Sequence, residues 1–153
     1  MNKILDTSFI LLTLGISTGT KVERSLEKLN EMKAEIYYSS FSILESIWVA
    51  LKLMRRSKLD HERFRLGLRS LIETDRYTRI VENTEAFTHA LRLYILGHLD
   101  VIDNILYANS IQFNLKFLTT DEELRKFIRK RKLKDTTLTP DELLQDSQKE
   151  ALS

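Results

Sequence analysis

Apolar and polar positions follow two different periods along this chain. Lys3 to Thr7, ending in Asp6-Thr7-Ser8, and Glu35 to Ser39, rich in Ile and Tyr, are short apolar runs, the pattern of buried strands. Between them, Phe9 to Leu14 reads as a short helix and Gly15 to Thr20 as a loop. Lys21 to Lys33 reads as a helix with Val22, Leu26, Leu29 and Met32 on one face. A strand, helix, strand opening predicts a parallel pair joined by a right-handed crossover. Apolar residues at 44, 47, 48, 51 and 54 predict a helix over 41–57. Those at 64, 68, 71 and 72 predict another over 60–72, with Asp60 as N-cap.

Farther on, Arg79 to Glu82 is a brief strand candidate, Thr84 to Leu96 a helix stopped by Gly97, and Ile102 to Phe113 a further helix. Leu115 to Thr119 is the clearest late strand. Asp121 to Lys130 follows as a helix, and Thr136 to Leu138 as a last short strand. Thr139-Pro140-Asp141-Glu142 combines an N-cap, a proline at the first helical position and a capping-box glutamate. The polar residues beyond about Gln145 are expected to fray, which makes 1–145 one domain and 146–153 a tail. Alternating short strands and helices predict an α/β fold, a three-layer sandwich around a mostly parallel twisted sheet of four or five strands. In such folds ligands bind at the carboxyl ends of the strands.

Composition narrows the chemistry. The chain has 153 residues, no Cys, one Pro and four Gly. A chain of this length buries roughly 70% of the surface its extended form would expose, so no staple is needed. The lack of Cys excludes disulfides, zinc ribbons, iron–sulfur clusters and thiol nucleophiles, and it suits a reducing, cytoplasmic setting. Three His, at 61, 89 and 98, form no HxxxH or HxH pair, which leaves oxygen ligands for any metal. No apolar stretch approaches the ~20 residues of a membrane span, and no signal peptide is expected.

The 24 Lys and Arg nearly balance 22 Asp and Glu, for a net charge of +2, yet the bases are unevenly placed. Seven lie between Lys52 and Arg69, and seven more between Arg125 and Lys134 with no acid among them. They are either solvated helix faces or a surface that tracks phosphates, in which case Arg55, Arg56, Arg125 and Arg129 are candidate substrate-phosphate contacts. Tyr37, Tyr38, Trp48 and Tyr107 are either core residues, the commoner role at such positions, or stacking platforms for unpaired bases.

The acids fall where the fold rule directs attention. Asp6 ends the first strand, and Asp121 follows the Leu115 strand. Glu45 lies one turn into the helix after strand two, and Asp103 starts the helix that feeds the Leu115 strand. Four carboxylates converging without a cation would repel one another, and burial would raise their pKa values. Mg²⁺ or Mn²⁺ is the natural compensator. Most of these acids also have a structural reading. Glu45 can close a capping box with Ser42, and Asp121 is a first-turn acid in a helix where Glu123 can close another. Asp100 and Asp103 can act as N-cap and first-turn acid. Asp6 has no capping role in this reading and would be costly to bury alone.

Taken in order, Asp6-Thr7-Ser8, Ser42-Ile43-Leu44-Glu45, Asp103-Asn104-Ile105-Leu106-Tyr107-Ala108 and Thr119-Thr120-Asp121-Glu122-Glu123 resemble the four acidic motifs of PIN domains. The resemblance covers essentially the whole chain. It implies a metal-dependent ribonuclease fold, frequently that of a VapC-like toxin paired with a small antitoxin protein, and commonly a homodimer. Asp6, Glu45, Asp103 and Asp121 would be the catalytic, metal-binding acids, and Ser8 and Thr119 would support the first and last of them. Asp100 is either an additional ligand or a cap. The basic helical segment at about 51–72 departs from the family pattern as an insert.

The implied activity is hydrolysis of RNA phosphodiester bonds by an endoribonuclease using one or two Mg²⁺ or Mn²⁺ ions. A non-catalytic PIN-like module that binds RNA or protein is the alternative. A DxD phosphatase would need a second acid two residues after Asp6, where Ser8 stands. No P-loop or Rossmann fingerprint is present.

Overall fold

The computed structural model describes residues 2–152. In chain order the elements are β1 (Lys3–Leu5), α1 (Thr7–Thr13), α2 (Thr20–Glu31), β2 (Ile36–Ser39), α3 (Ser40–Arg55), α4 (His61–Ile72) and β3 (Thr78–Ile80). They continue with α5 (Thr84–Leu96), α6 (Val101–Gln112), β4 (Lys116–Leu118), α7 (Glu122–Lys130), β5 (Thr137–Leu138) and α8 (Pro140–Leu152). The strands form one sheet in the order β3-β2-β1-β4-β5. Every pairing is parallel, with Ile4 opposite Tyr37 on one side and Phe117 on the other. The expected α/β sandwich is therefore present, with five strands.

Alternation along the strands divides the core into two layers, because successive side chains point to opposite faces. Leu5 and Leu118 face one way and pack with Phe9, Ile10, Leu26, Leu29 and Leu143 from α1, α2 and α8. Ile4 and Phe117 face the other way and pack with Leu93, Leu106, Tyr107, Leu124 and Ile128 from α5, α6 and α7. Central β1 is buried at all three positions, as a strand covered on both faces must be.

Several local signals act as read. Asp60 caps α4 through the Arg63 amide at 3.1 Å, and Gly97 ends α5 with φ 116°. Thr139 and Glu142 close a reciprocal capping box: the Thr139 amide donates to Oε2 at 3.0 Å and the Glu142 amide to Oγ1 at 3.1 Å. Helix α8 then runs past Gln145 to Leu152, where the polar sequence led us to expect fraying. Its inner positions explain the persistence, since Leu143 and Ser147 are buried and Glu150 faces the buried Lys3.

Strand order fixes where a site can form. The chain crosses from β1 to β2 in one direction and returns over β1 to reach β4 and β5 in the other. The crevice at the carboxyl ends of β1 and β4 is thus the switch point, where open α/β sheets bind ligands.

Candidate metal centre

Asp6 and Asp121 flank this switch point, and Thr119 joins them. The β1–β4 ladder extends one residue beyond the strand, with the Asp6 amide donating to the Leu118 carbonyl at 3.0 Å. Just past it, the fully buried Thr119 donates Oγ1–H to Asp6 Oδ2 at 2.6 Å, and the same oxygen accepts from the Asp121 amide at 3.0 Å. One hydroxyl therefore sets the position of both acids. The support expected for Asp121 alone reaches Asp6 as well. Ser8 contributes through its backbone, whose amide approaches Asp6 Oδ1 at 3.4 Å.

That contact corrects one reading, since Asp6 is the N-cap of α1. The helix begins at Thr7, directly after the strand, rather than at Phe9, so Asp6 has a structural role as well as a strand-end position. It remains buried. Burial pushes its carboxyl above the ordinary range, the Asp121 charge adds to this, and the hydrogen bonds from Thr119, Ser8 and Thr120 oppose it.

Glu45 differs from its expected cap role. Strand β2 passes straight into α3, so Ser39 is the N-cap and accepts from the Phe41 amide at 3.2 Å. Ser42 then lies inside the helix, buried, with no hydrogen-bond partner for Oγ, and no Ser42–Glu45 box forms. Glu45 instead responds to the other acids: burial raises its carboxyl, and the charges of Asp100 and Asp6 raise it further. The Thr7 hydroxyl opposes the shift, although Thr7 Oγ1 makes no full hydrogen bond.

Asp100 caps α6 by accepting from the Asp103 amide at 3.1 Å, the first-turn capping geometry. Asp103 itself is buried on a helix whose residues 102–110 are all buried. Its carboxyl is pushed up to about 10, first by burial, then by a carboxyl–carboxyl hydrogen bond to Asp121 and by the charges of Asp6, Asp100 and Asp121. Asp121 is the N-cap of α7, with Oδ1 accepting from the amides of Glu123 at 2.9 Å and Leu124 at 3.1 Å. Burial disfavours its charge, but the Asp103 hydrogen bond, the two cap amides and nearby His98 together hold it low. The proton between the two therefore resides on Asp103.

Asp6, Glu45, Asp100, Asp103 and Asp121 thus form one electrostatic group, and no ion pair between Lys or Arg and any of them occurs among the described residues. The same residues include no set of three Asp, Glu or His already close enough to ligate one ion. An all-oxygen donor set, with the unpartnered Thr7 hydroxyl near Glu45, fits a hard divalent cation such as Mg²⁺ or Mn²⁺.

The basic runs lie elsewhere. Arg125 is buried, correcting its reading as a substrate-phosphate contact: it donates to Thr137 Oγ1 at 3.1 Å and pairs with Glu142 at 2.7 Å and Glu122 at 3.4 Å. Arg129 is exposed two turns along α7 from Asp121, about 12 Å away at 1.5 Å per residue. Arg55 and Arg56 are exposed at the far end of α3, Arg55 about 15 Å from Glu45 by the same measure. Within the first run, Arg65 and Arg69 are paired with Glu62 and Glu73. Trp48 also departs from its commoner reading: it is 51% exposed, whereas Tyr38 and Tyr107 are core residues.

The sequence marks Glu82 only as the end of a strand candidate. It accepts from Ser39 Oγ at 2.9 Å and Asn109 Nδ2 at 3.1 Å, tying β2, β3 and α6 together at the same sheet edge. An acid at the end of a strand candidate, the signal that singled out Asp6, also marks this position.

The parallel α/β sheet of order 3-2-1-4-5 thus carries a group of carboxylates at its switch point. The family model for the PIN domain matches residues 3–130. The chain belongs to the PIN domain family, whose members are generally nucleases and usually metal-dependent. Comparison with curated proteins found no match. No helix among the described residues is long and apolar enough to cross a membrane.

Proposed function

We propose that this protein is an endoribonuclease that hydrolyses RNA phosphodiester bonds with one or two Mg²⁺ or Mn²⁺ ions held by Asp6, Glu45, Asp103 and Asp121. The observation that carries this reading is the convergence of Asp6 and Asp121 on the buried Thr119 hydroxyl, with the buried Asp103 carboxyl beside Asp121. A bound dication would act as a Lewis acid, activating water and neutralising charge on the scissile phosphate. For their part, Asp103 gives up its proton on binding, Thr119 keeps Asp6 and Asp121 at fixed separation, and Asp100 holds the start of α6. Arg55, Arg56 and Arg129, lying away from the acids, would contact phosphates remote from the cleaved bond.

A homodimer accompanies this reading. Leu44, Ile47, Trp48 and Leu51 on α3, with Leu91 and Ile95 on α5, are exposed, and Phe41 meets Phe87 edge to face at 5.7 Å between the two helices. Apolar side chains in this number favour a protein partner over RNA, and a second copy is present wherever the chain is. Light scattering should give twice the 18.0 kDa chain mass, and Leu51→Glu should return it to one.

The test of activity is cleavage of RNA that requires Mg²⁺ or Mn²⁺, stops in EDTA, and is lost in Asp6→Asn and Asp121→Asn while both variants stay folded. Cleavage indifferent to chelation and to both substitutions overturns the reading. Salt-dependent RNA retention without cleavage assigns the chain to the binding-module alternative. A toxin role makes a further demand: growth arrest on expression, relieved by the product of an adjoining short gene.

A further inference from the structure

Helix α6 carries a polar side chain whose burial the proposed chemistry does not by itself explain. Asn104 follows Asp103 and is fully buried. A buried amide is costly unless satisfied, and both ends of this one are used on a single residue. Its Nδ2 donates to the His98 carbonyl at 2.7 Å, and its Oδ1 lies 2.6 Å from His98 Nδ1. A carbonyl can only accept, so the first contact fixes which way the amide points. The second must then be Nδ1–H donating to Oδ1. The imidazole tautomer and ring plane are thereby set, with Nε2 left outside this pairing.

The ring reaches beyond α6. It packs on Phe127 of α7 at 5.3 Å between ring centres, and it lies near enough to Asp121 to act on that carboxylate. The same residue anchors the turn after α5, its amide donating to the Leu93 carbonyl at 3.0 Å. Two residues on, Asp100 holds the Asp103 amide. Asp103 is therefore fixed from both sides, its own amide by Asp100 and its neighbour's side chain by His98. The ring that grips Asn104 also rests on the helix that Asp121 caps. Polar networks that are fully satisfied select one geometry more sharply than apolar packing does.

We propose that His98 and Asn104 are positioning residues for the metal centre: their paired hydrogen bonds lock the 97–100 turn, α6 and α7 so that Asp103 and Asp121 present their carboxylates together to a divalent cation. This rests on the metal-dependent reading above. Outer-shell partners of metal ligands typically contribute about 10- to 100-fold to affinity, and an effect near the lower bound is expected for a pair one residue removed from Asp103.

Two substitutions separate positioning from packing. His98→Phe keeps a ring against Phe127 and removes the donor, whereas His98→Asn returns a donor near the Nδ1 position. Mn²⁺ affinity of the RNA-free protein is measured by titration calorimetry well below each melting temperature, alongside near-UV circular dichroism and, with RNA, kcat and KM at saturating Mn²⁺. His98→Phe should weaken Mn²⁺ binding about tenfold or more with KM for RNA little changed, and His98→Asn should recover most of the loss. Unchanged Mn²⁺ affinity in folded His98→Phe, whatever its melting temperature, overturns the proposal, as does His98→Asn binding no better than His98→Phe. Wild-type protein that binds no Mn²⁺ overturns the nuclease reading itself, and this inference with it. Wild-type binding with unaffected variants overturns the inference alone.

Discussion

Without metal, raising the pH should destabilise this protein, and Asn at position 103 should remove much of that sensitivity. The Asp103 carboxyl has an ordinary value of 3.8 and is pushed up to about 10 in the folded protein. Between about pH 4 and pH 10 the folded state thus binds one proton more than the unfolded chain at this residue, and stability falls as pH rises. The slope for one proton is about 1.4 kcal/mol per pH unit. In a domain of this size it corresponds to roughly 3–6 °C in Tm per unit. Asp6 and Glu45 are also raised, so they act with the same sign. Asp121 is held low, and the stability it contributes is lost only as pH falls below 3.8, outside the window.

His89 is held low by burial and by Arg92, so it acts oppositely near and below its ordinary 6.5, and pH 7–9 is the cleaner range. In EDTA, urea or thermal melts of wild type and Asp103→Asn should diverge there, the variant gaining about 1.4 kcal/mol on the wild type with each pH unit. Saturating Mn²⁺ should flatten or reverse the wild-type slope, because the cation needs deprotonated ligands. Parallel wild-type and variant melts in EDTA across pH 7–9 would refute the argument that a proton is trapped between Asp103 and Asp121.

Thr119→Val, which keeps shape but removes the hydroxyl shared by Asp6 and Asp121, should cost about 2–3 kcal/mol in urea titrations, with Thr119→Ser close to wild type. Arg125→Met should lower stability by about 2 kcal/mol, discounted because Glu142 is partly exposed. RNA affinity at fixed salt should not change, in keeping with a guanidinium that braces α7 against α8. Gly67→Ala should destabilise despite a helix-propensity gain of about 1 kcal/mol. Its Cβ would meet the Thr13 carbonyl at 2.7 Å and Leu14 Cα at 2.8 Å, so a net loss of about 1–3 kcal/mol in thermal melts is expected.

Much of the fold is legible because its signals are local. The Asp60 cap, the Gly97 stop and the Thr139-Pro140 start each concern a few neighbouring residues, and each functions as the sequence suggests. Strand ends and acids are legible for a related reason, since a carboxylate after a buried strand requires a partner. What escapes is set by geometry between distant segments. Nothing local shows that β2 enters α3 without a turn, turning Ser42 from a cap into an interior residue. Arg125 looks like its neighbours in a run of bases, and only the return of α8 brings Glu142 to it. Trp48 has core spacing on α3, yet the face it occupies is left uncovered by the chain's own folding.

The bond between Thr119 and Asp6 joins residues 113 positions apart, and this has a consequence for biosynthesis. The central strand is made long before β4, so its β4 edge must wait for all the elements between them. A chain still being translated can assemble β1, β2 and β3, but it lacks the fourth acid and the hydroxyl that aligns the first. Contacts of such sequence separation form late and slowly. The acidic centre of the emerging chain thus stays incomplete until β4 has been made and the sheet closes on it.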